Sequence, residues 1–159
     1  MSEVVAIQEL ARQVRRGTIE LLSAAKPHWL HWAPEGTSNH LLWHAGHALW
    51  LQDILCLEPL KGLSELPPDW SEMFGMNCRP VAETTHWPDR RQVLQLLTEQ
   101  LSRIITALAA AEGRLRDDSN ARSDTLASRI IHGLHDEARH QGEMYLLVKL
   151  CRARETTLR

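Results

Sequence analysis

Aromatic residues other than tryptophan are almost missing from this chain of 159 residues, which has one Phe and one Tyr beside six Trp. Glycine and proline are scarce as well, at 8 and 7 residues, which excludes collagen-like and low-complexity scaffolds. With 43% apolar residues, disorder is excluded too, and the length fits a single folded domain over residues 1–159. The three cysteines, Cys56, Cys78 and Cys151, lie far apart without a CxxC pair. They exclude a disulfide framework and a cysteine zinc site and read as free thiols. Cationic excess is absent: 18 Lys and Arg against 20 Asp and Glu leave a formal charge of -2. Such a chain has no field for gripping a phosphate backbone, so nucleic acid is not an expected partner. No apolar run reaches the length of a membrane span, and the first ten residues carry Glu3 and Glu9 where a secretory leader would be basic. The expected location is cytoplasmic. What the chain has in excess is histidine, with nine residues.

Periodicity predicts helices throughout. Val4, Ile7, Ala11, Val14, Thr18, Leu21 and Ala25 recur every three or four residues and mark a first helix, which Pro27 stops. Residues 26–36, with Pro27, Trp29, Trp32 and Pro34, read as an ordered connection anchored by indole rings. Thr37, Ser38 or Asn39 then supplies the cap of a second helix that continues to about Leu57. Residues 58–87 form a long connection punctuated by Pro59, Gly62, Pro67, Pro68, Gly75 and Pro80. It carries Trp70, Met73, Phe74, Met76 and Trp87, so it is expected to fold back onto the helices, with a short helix around 69–74. Pro88 and Asp89 open a third helix, with Leu94, Leu97, Leu101, Ile104, Leu108 and Ala111 on its apolar side, as far as Gly113. After a polar linker over 113–123, a fourth helix starts at Ser123 or Asp124 and runs to about Ala153. Its apolar side is read as Leu126, Ile130, Leu134, Ala138, Tyr145 and Val148. No segment alternates at period two. The simplest architecture is all-α, an up-down-up-down four-helix bundle with a long connection between helices two and three.

The histidines fall into stripes. His40, His44 and His47 are spaced by four and three on the second helix, within about 60° of one another. His132, Asp136, His140 and Glu143 follow the same rule on the fourth, within about 80°. If the stripes face each other across the bundle, they hold a divalent metal, with open positions of the kind found in catalytic sites. The competing reading makes each histidine a surface or satisfied core residue. For the two stripes together, burying so much polar surface without a cation would cost several kcal/mol, of order 2–7 per unpaired group. Trp43, Trp50 and Tyr145 flank these helices, as lining of a pocket mouth or as plain core. Gly46 and Gly142 each cost a helix about 1 kcal/mol relative to Ala and mark close helix approach or room beside a ligand. His28, His31 and His86 lie in connections, and His135 lies off the stripe.

Three segments carry a family resemblance: His44-Ala-Gly-His47-Ala-Leu-Trp-Leu-Gln-Asp53, Leu66-Pro-Pro-Asp-Trp-Ser-Glu-Met-Phe-Gly75 and His135-Asp-Glu-Ala-Arg-His-Gln-Gly-Glu143. Together they resemble the DinB-like (DinB/YfiT) superfamily of metal-dependent four-helix bundles, over nearly the whole chain. The resemblance implies a homodimer and a metal held by one histidine of helix two and a pair spaced by four on helix four. His47 matches the first and His140 the second member of the pair. Asp136 stands where the family usually has the other histidine; a carboxylate is an acceptable ligand, and His44, His132 and Glu143 remain alternatives for that position. Zn, Ni, Mn and Fe all suit the set.

Some members of that family are metal-dependent transferases or isomerases using low-molecular-weight thiols, and a related domain occurs in iron-dependent sulfoxide synthases of ergothioneine biosynthesis. The implied chemistry is a thiol or water whose pKa the metal lowers, presented to a small-molecule electrophile, with Glu137 or Glu143 as general base. The other reading is a helical binding protein without turnover, in which the polar stripes hold the register of the bundle.

Overall fold

The computed structural model describes residues 2–76, 87–115 and 125–157, and every regular element among them is helical. Cys78, Pro80, His86 and the expected start of the last helix at Ser123 or Asp124 lie outside the described residues, as does most of the linker before it. Five helices set the architecture: α1 (Glu3–Ala24), α2 (Leu41–Gln52), the short α3 (Trp70–Phe74), α4 (Arg90–Ala110) and the long α5 (Leu126–Thr157). α1 lies against α4 and α5, α2 lies against α5, and α3 sits on α2.

α2 does not stop at Gln52. A π turn over Asp53–Leu57 and a last α turn over Glu58–Lys61 prolong it, and Gly62, at φ 83°, ends it in the left-handed conformation that favours glycine. Pro59 falls just after the π turn, in the last segment. The cap of α2 differs from expectation. His40, and not Thr37, Ser38 or Asn39, caps the helix, its Nδ1 accepting from the Trp43 amide at 3.1 Å. Thr37 instead closes the preceding turn, its hydroxyl donating to the Pro34 carbonyl at 2.9 Å. α4 likewise begins one step later than read: Asp89 is its cap, accepting from the Arg91 amide, and Pro88 precedes the helix.

The inward faces of α1 and α4 follow the predicted stripes closely, with Val4, Ile7, Ala11, Val14 and Thr18 on one and Leu97, Ile104 and Leu108 on the other. On α5 the prediction fails at Ala138 and Tyr145, which are exposed, while Met144, Leu147 and Cys151 are buried. Glu137 and the half-buried Gln141 occupy the middle of the true inward line and hide it from a reading by hydropathy.

A polar layer divides the core. One apolar cluster gathers Trp29, Trp43, Leu49, Phe74, Leu97 and Met144, and the other gathers Ile7, Cys56, Leu57, Ile104, Leu108 and Ile130. Between the two sets the helices bury polar side chains: Arg15, Thr18, Gln52, Gln100 and Glu137. Arg15 Nη2 donates to Glu137 Oε2 at 3.1 Å and to Gln100 Oε1 at 2.9 Å, and Thr18 Oγ1 donates to Glu137 Oε1 at 2.8 Å. A pair so buried contributes little net stability while intact but is costly to break from one side, so it favours this register of the helices.

Side chains tie the first connection, and the described part of the long one, to the helices. Glu155 on α5 accepts from Lys26 Nζ at 2.6 Å and Trp29 Nε1 at 2.9 Å and pairs with His28 Nε2 at 2.8 Å. Lys26 and His28 hold its carboxyl down to about 2. The long connection folds back as expected: Trp70 Nε1 donates to the Gly46 carbonyl at 3.1 Å, and Trp70 and Phe74 are buried. Met76 departs from that expectation, being 68% exposed.

Candidate metal centre

α2 and α5 face each other where their histidines lie. His44 and His47 are each 2% exposed, and Asp136, His140 and Glu143 meet them from α5. One ligand atom each from His47, Asp136 and His140 lies within 4.8 Å of the others, and the same holds for His44, His140 and Glu143. The three ligands expected from the sequence are therefore brought together, and His140 belongs to both groups.

A hydrogen bond fixes which nitrogen of His47 is free. His47 Nδ1 lies 2.6 Å from the Phe74 carbonyl oxygen. A carbonyl only accepts, so Nδ1 carries the proton and Nε2 keeps its lone pair, the arrangement that orients metal-binding imidazoles. His44 Nε2 lies 3.3 Å from Glu143 Oε2, and His44 Nδ1 lies 2.9 Å from His140 Nδ1. His140 Nε2 lies 3.5 Å from Asp136 Oδ2. Asp136 Oδ1 accepts from Arg139 Nη1 at 3.1 Å, which steadies the carboxylate and leaves Oδ2 for the centre. Trp43 stacks on His47 with ring centroids 4.7 Å apart.

Electrostatics favour the ligating form. Burial, with the imidazoles of His140 and His47 adding to it, pushes His44 down to about 3. Burial and His47 push His140 down to about 4, and burial lowers His47 against the opposing pull of the Phe74 carbonyl. The three rings are thus neutral at neutral pH. Burial raises the Glu143 carboxyl. Neutral imidazole nitrogens and a convergent carboxylate form a two-nitrogen, one-oxygen set that fits Zn, Ni, Mn or Fe.

Other residues of the stripes go elsewhere. His40 serves as a helix cap, and His132 is exposed and belongs to neither group. Glu137 is 1% exposed within the polar layer, with both carboxylate oxygens engaged by Arg15 and Thr18. A cavity of about 490 Å³ opens beside the centre, with His44 and Glu143 in its wall and Leu146, Leu147 and Leu150 along it. It is lined by leucine rather than by Trp43, Trp50 or Tyr145; Tyr145 is exposed under Lys149. Gly46 marks a close approach, since a Cβ there would sit 2.2 Å from the Phe74 ring, whereas Gly142 faces open space. Reasoning from sequence missed the Phe74 carbonyl and the His140–His44–Glu143 chain. Gly46, next to His47, was the one signal pointing to Phe74.

The DinB superfamily model matches residues 10–144, a segment that holds every residue of both groups. No curated protein matches the sequence. Among solved structures, the chain is similar to a conserved protein from Enterococcus faecalis, with a TM-score of 0.55 and 16% identity over 92% of this chain and 95% of that one. A likeness at that identity speaks for the helical fold alone. The match to the family model covers most of the sequence, and the chain belongs to the DinB superfamily.

Proposed function

We propose that the protein is a divalent-metal-dependent enzyme that transfers a low-molecular-weight thiol to a small electrophile, with hydrolysis or isomerisation as related outcomes of the same site. The observation that carries this reading is the convergence of His47, Asp136 and His140 beside an open cavity walled by His44 and Glu143. His47, Asp136 and His140 would hold the cation, which supplies Lewis acidity that eases loss of a proton from a thiol or water. The Phe74 carbonyl keeps the His47 tautomer, and His44 meets the His140 ring through their Nδ1 atoms, 2.9 Å apart.

Glu143, not Glu137, is placed to take the proton. Its carboxylate lines the cavity, burial shifts it toward the range useful to a general base, and His44 Nε2 lies 3.3 Å from it. Glu137 has no free oxygen to offer. We further propose a cytoplasmic homodimer, and light scattering of the purified chain tests the oligomeric state. A second reading, a binding protein without turnover, draws support from the buried Arg15–Glu137 pair, which shows that polar residues outside the stripes can favour one helix register.

The deciding experiment incubates metal-loaded and chelator-treated protein with a panel of low-molecular-weight thiols and electrophiles and follows adducts by mass spectrometry. Adduct formation that needs metal and falls about 10²–10⁴-fold in Glu143→Gln supports the transferase reading. Adducts at the uncatalysed rate in all samples leave the binding protein.

A further inference from the structure

Beyond Glu143, α5 presents Leu146, Leu147 and Leu150 to the cavity, and two of them are unusually open for large apolar side chains: Leu146 is 55% exposed and Leu150 36%. The opposite wall is the turn that precedes α2. Its Thr37 amide and hydroxyl both donate to the Pro34 carbonyl, at 3.0 and 2.9 Å, and Gly36, at φ 80°, takes the left-handed conformation the turn requires. Ser38 and Asn39 add neutral polar groups at the rim. The enclosed volume of about 490 Å³ falls within the range of small-molecule sites.

The charge of this cleft is one-sided. Among the described residues no Lys or Arg lines it, and Glu143 is its one carboxylate. Further along α5, Lys149 lies over the Tyr145 ring at 5.3 Å and Arg154 over the Trp32 ring at 4.6 Å. An anionic head would therefore face a carboxylate with no counter-charge. A head carrying O–H or S–H finds an acceptor in Glu143, and an apolar body finds a wall of leucine.

We propose that this cleft binds an uncharged small molecule with an aliphatic body and a hydrogen-bond-donating head, an alcohol or a thiol, laid along Leu146, Leu147 and Leu150 with its head at Glu143. The assignment rests on the metal-centre reading only for what becomes of the head; the selection of the body and of the charge belongs to the cleft itself. Molecules that carry carboxylates near the reacting group enter poorly.

The test uses the whole chain, treated with chelator at pH 8 and labelled at its leucine methyl groups, and compares 1-hexanol with hexanoate by NMR titration. The two probes share a chain and differ in the charge of the head. Hexanol is expected to shift the methyls of Leu146, Leu147 and Leu150 and to bind at least about tenfold more tightly than hexanoate, a difference of about 1.4 kcal/mol. Leu146→Asp, at an exposed position the fold tolerates, abolishes those shifts, and Glu143→Gln narrows the gap between the probes to less than about threefold. Equal binding of the probes, no shifts at these leucines, or a dimer that Leu146→Asp splits on light scattering overturns the proposal, the last by giving the face to a second copy. Zinc titration of the same samples separates the two ideas. Hexanol binding without zinc binding sinks the metal centre and leaves the cleft, and the reverse sinks the cleft alone.

Discussion

Replacing Gly46 with Ala adds one methyl group to α2 at the place where the long connection crosses it. The new Cβ would lie 2.2, 2.3 and 2.5 Å from Cε1, Cδ1 and Cζ of Phe74. Carbon atoms in contact sit 3.5–4.0 Å apart, so the ring must withdraw by about 1.5 Å. It has nowhere to go: Phe74 is fully buried, with the Trp70 ring 4.8 Å away and the Trp87 ring 5.4 Å away. Overpacking of this depth costs about 3 kcal/mol, and the better helix propensity of Ala returns about 1, leaving a net loss of about 2 kcal/mol. Displacing Phe74 also moves the carbonyl that holds His47 Nδ1, so metal affinity is expected to fall about 10–100-fold. Urea denaturation in chelator reads the first effect, and zinc competition titration reads the second. Gly142→Ala is the internal control, because nothing lies within 4 Å of its Cβ position, and it should stabilise the chain by about 0.5–1 kcal/mol. If Gly46→Ala is as stable as the parent, or if the two substitutions change stability in the same direction, the close approach of Phe74 to α2 is refuted.

Arg15→Met leaves Glu137 buried without its cation and should cost about 3–5 kcal/mol in urea denaturation, most of it recovered when Glu137 is also made Met. His40→Ala removes the cap of α2 and should cost about 1 kcal/mol, whereas His40→Asn restores an accepting cap, so the order of their thermal midpoints checks the assignment. Metal-free stability should fall with acid. His40, His44 and His140 are held down to about 4, 3 and 4 when folded but titrate near 6.5 when unfolded, so the unfolded chain binds more protons between those values. Their contribution is therefore full above pH 6.5 and is lost as the pH drops toward 4, by up to about 1.4 kcal/mol per pH unit for each ring, and a flat urea midpoint between pH 6.5 and 4.5 contradicts it.

Much of this was readable from residue spacing. Apolar residues every three or four positions locate α1 and α4 because helix geometry turns that spacing into one face, and the same rule puts His44 and His47 opposite Asp136 and His140. The punctuation of the long connection, with its indoles, gave away a segment that returns to the core, down to the short helix at Trp70–Phe74. What stayed hidden was polar and non-local. His40 as a cap is invisible because histidine is not among the usual capping residues, and the ring lies in the same stripe as the ligands. The inward line of α5 passes through Glu137 and Gln141, which look like surface until Arg15, Thr18 and the Val14 carbonyl are known to meet them. The π turn at Asp53–Leu57 has no composition of its own; Asp53 there accepts from the Glu65 amide and the Ser64 hydroxyl, both about a dozen residues away. Backbone partners such as the Phe74 carbonyl leave no mark on residue type at all.

The proposed chemistry depends on one divalent cation held by His47, Asp136 and His140. Its most direct test is metal content per chain by elemental mass spectrometry, after equilibration with zinc and removal of loosely bound ions, for the parent, His47→Ala, His140→Ala and His132→Ala. About one zinc per chain is expected for the parent and for His132→Ala, and a loss of about tenfold or more in occupancy for the other two, with helical content unchanged by circular dichroism. Equal metal content in all four proteins, or none in the parent, would contradict it.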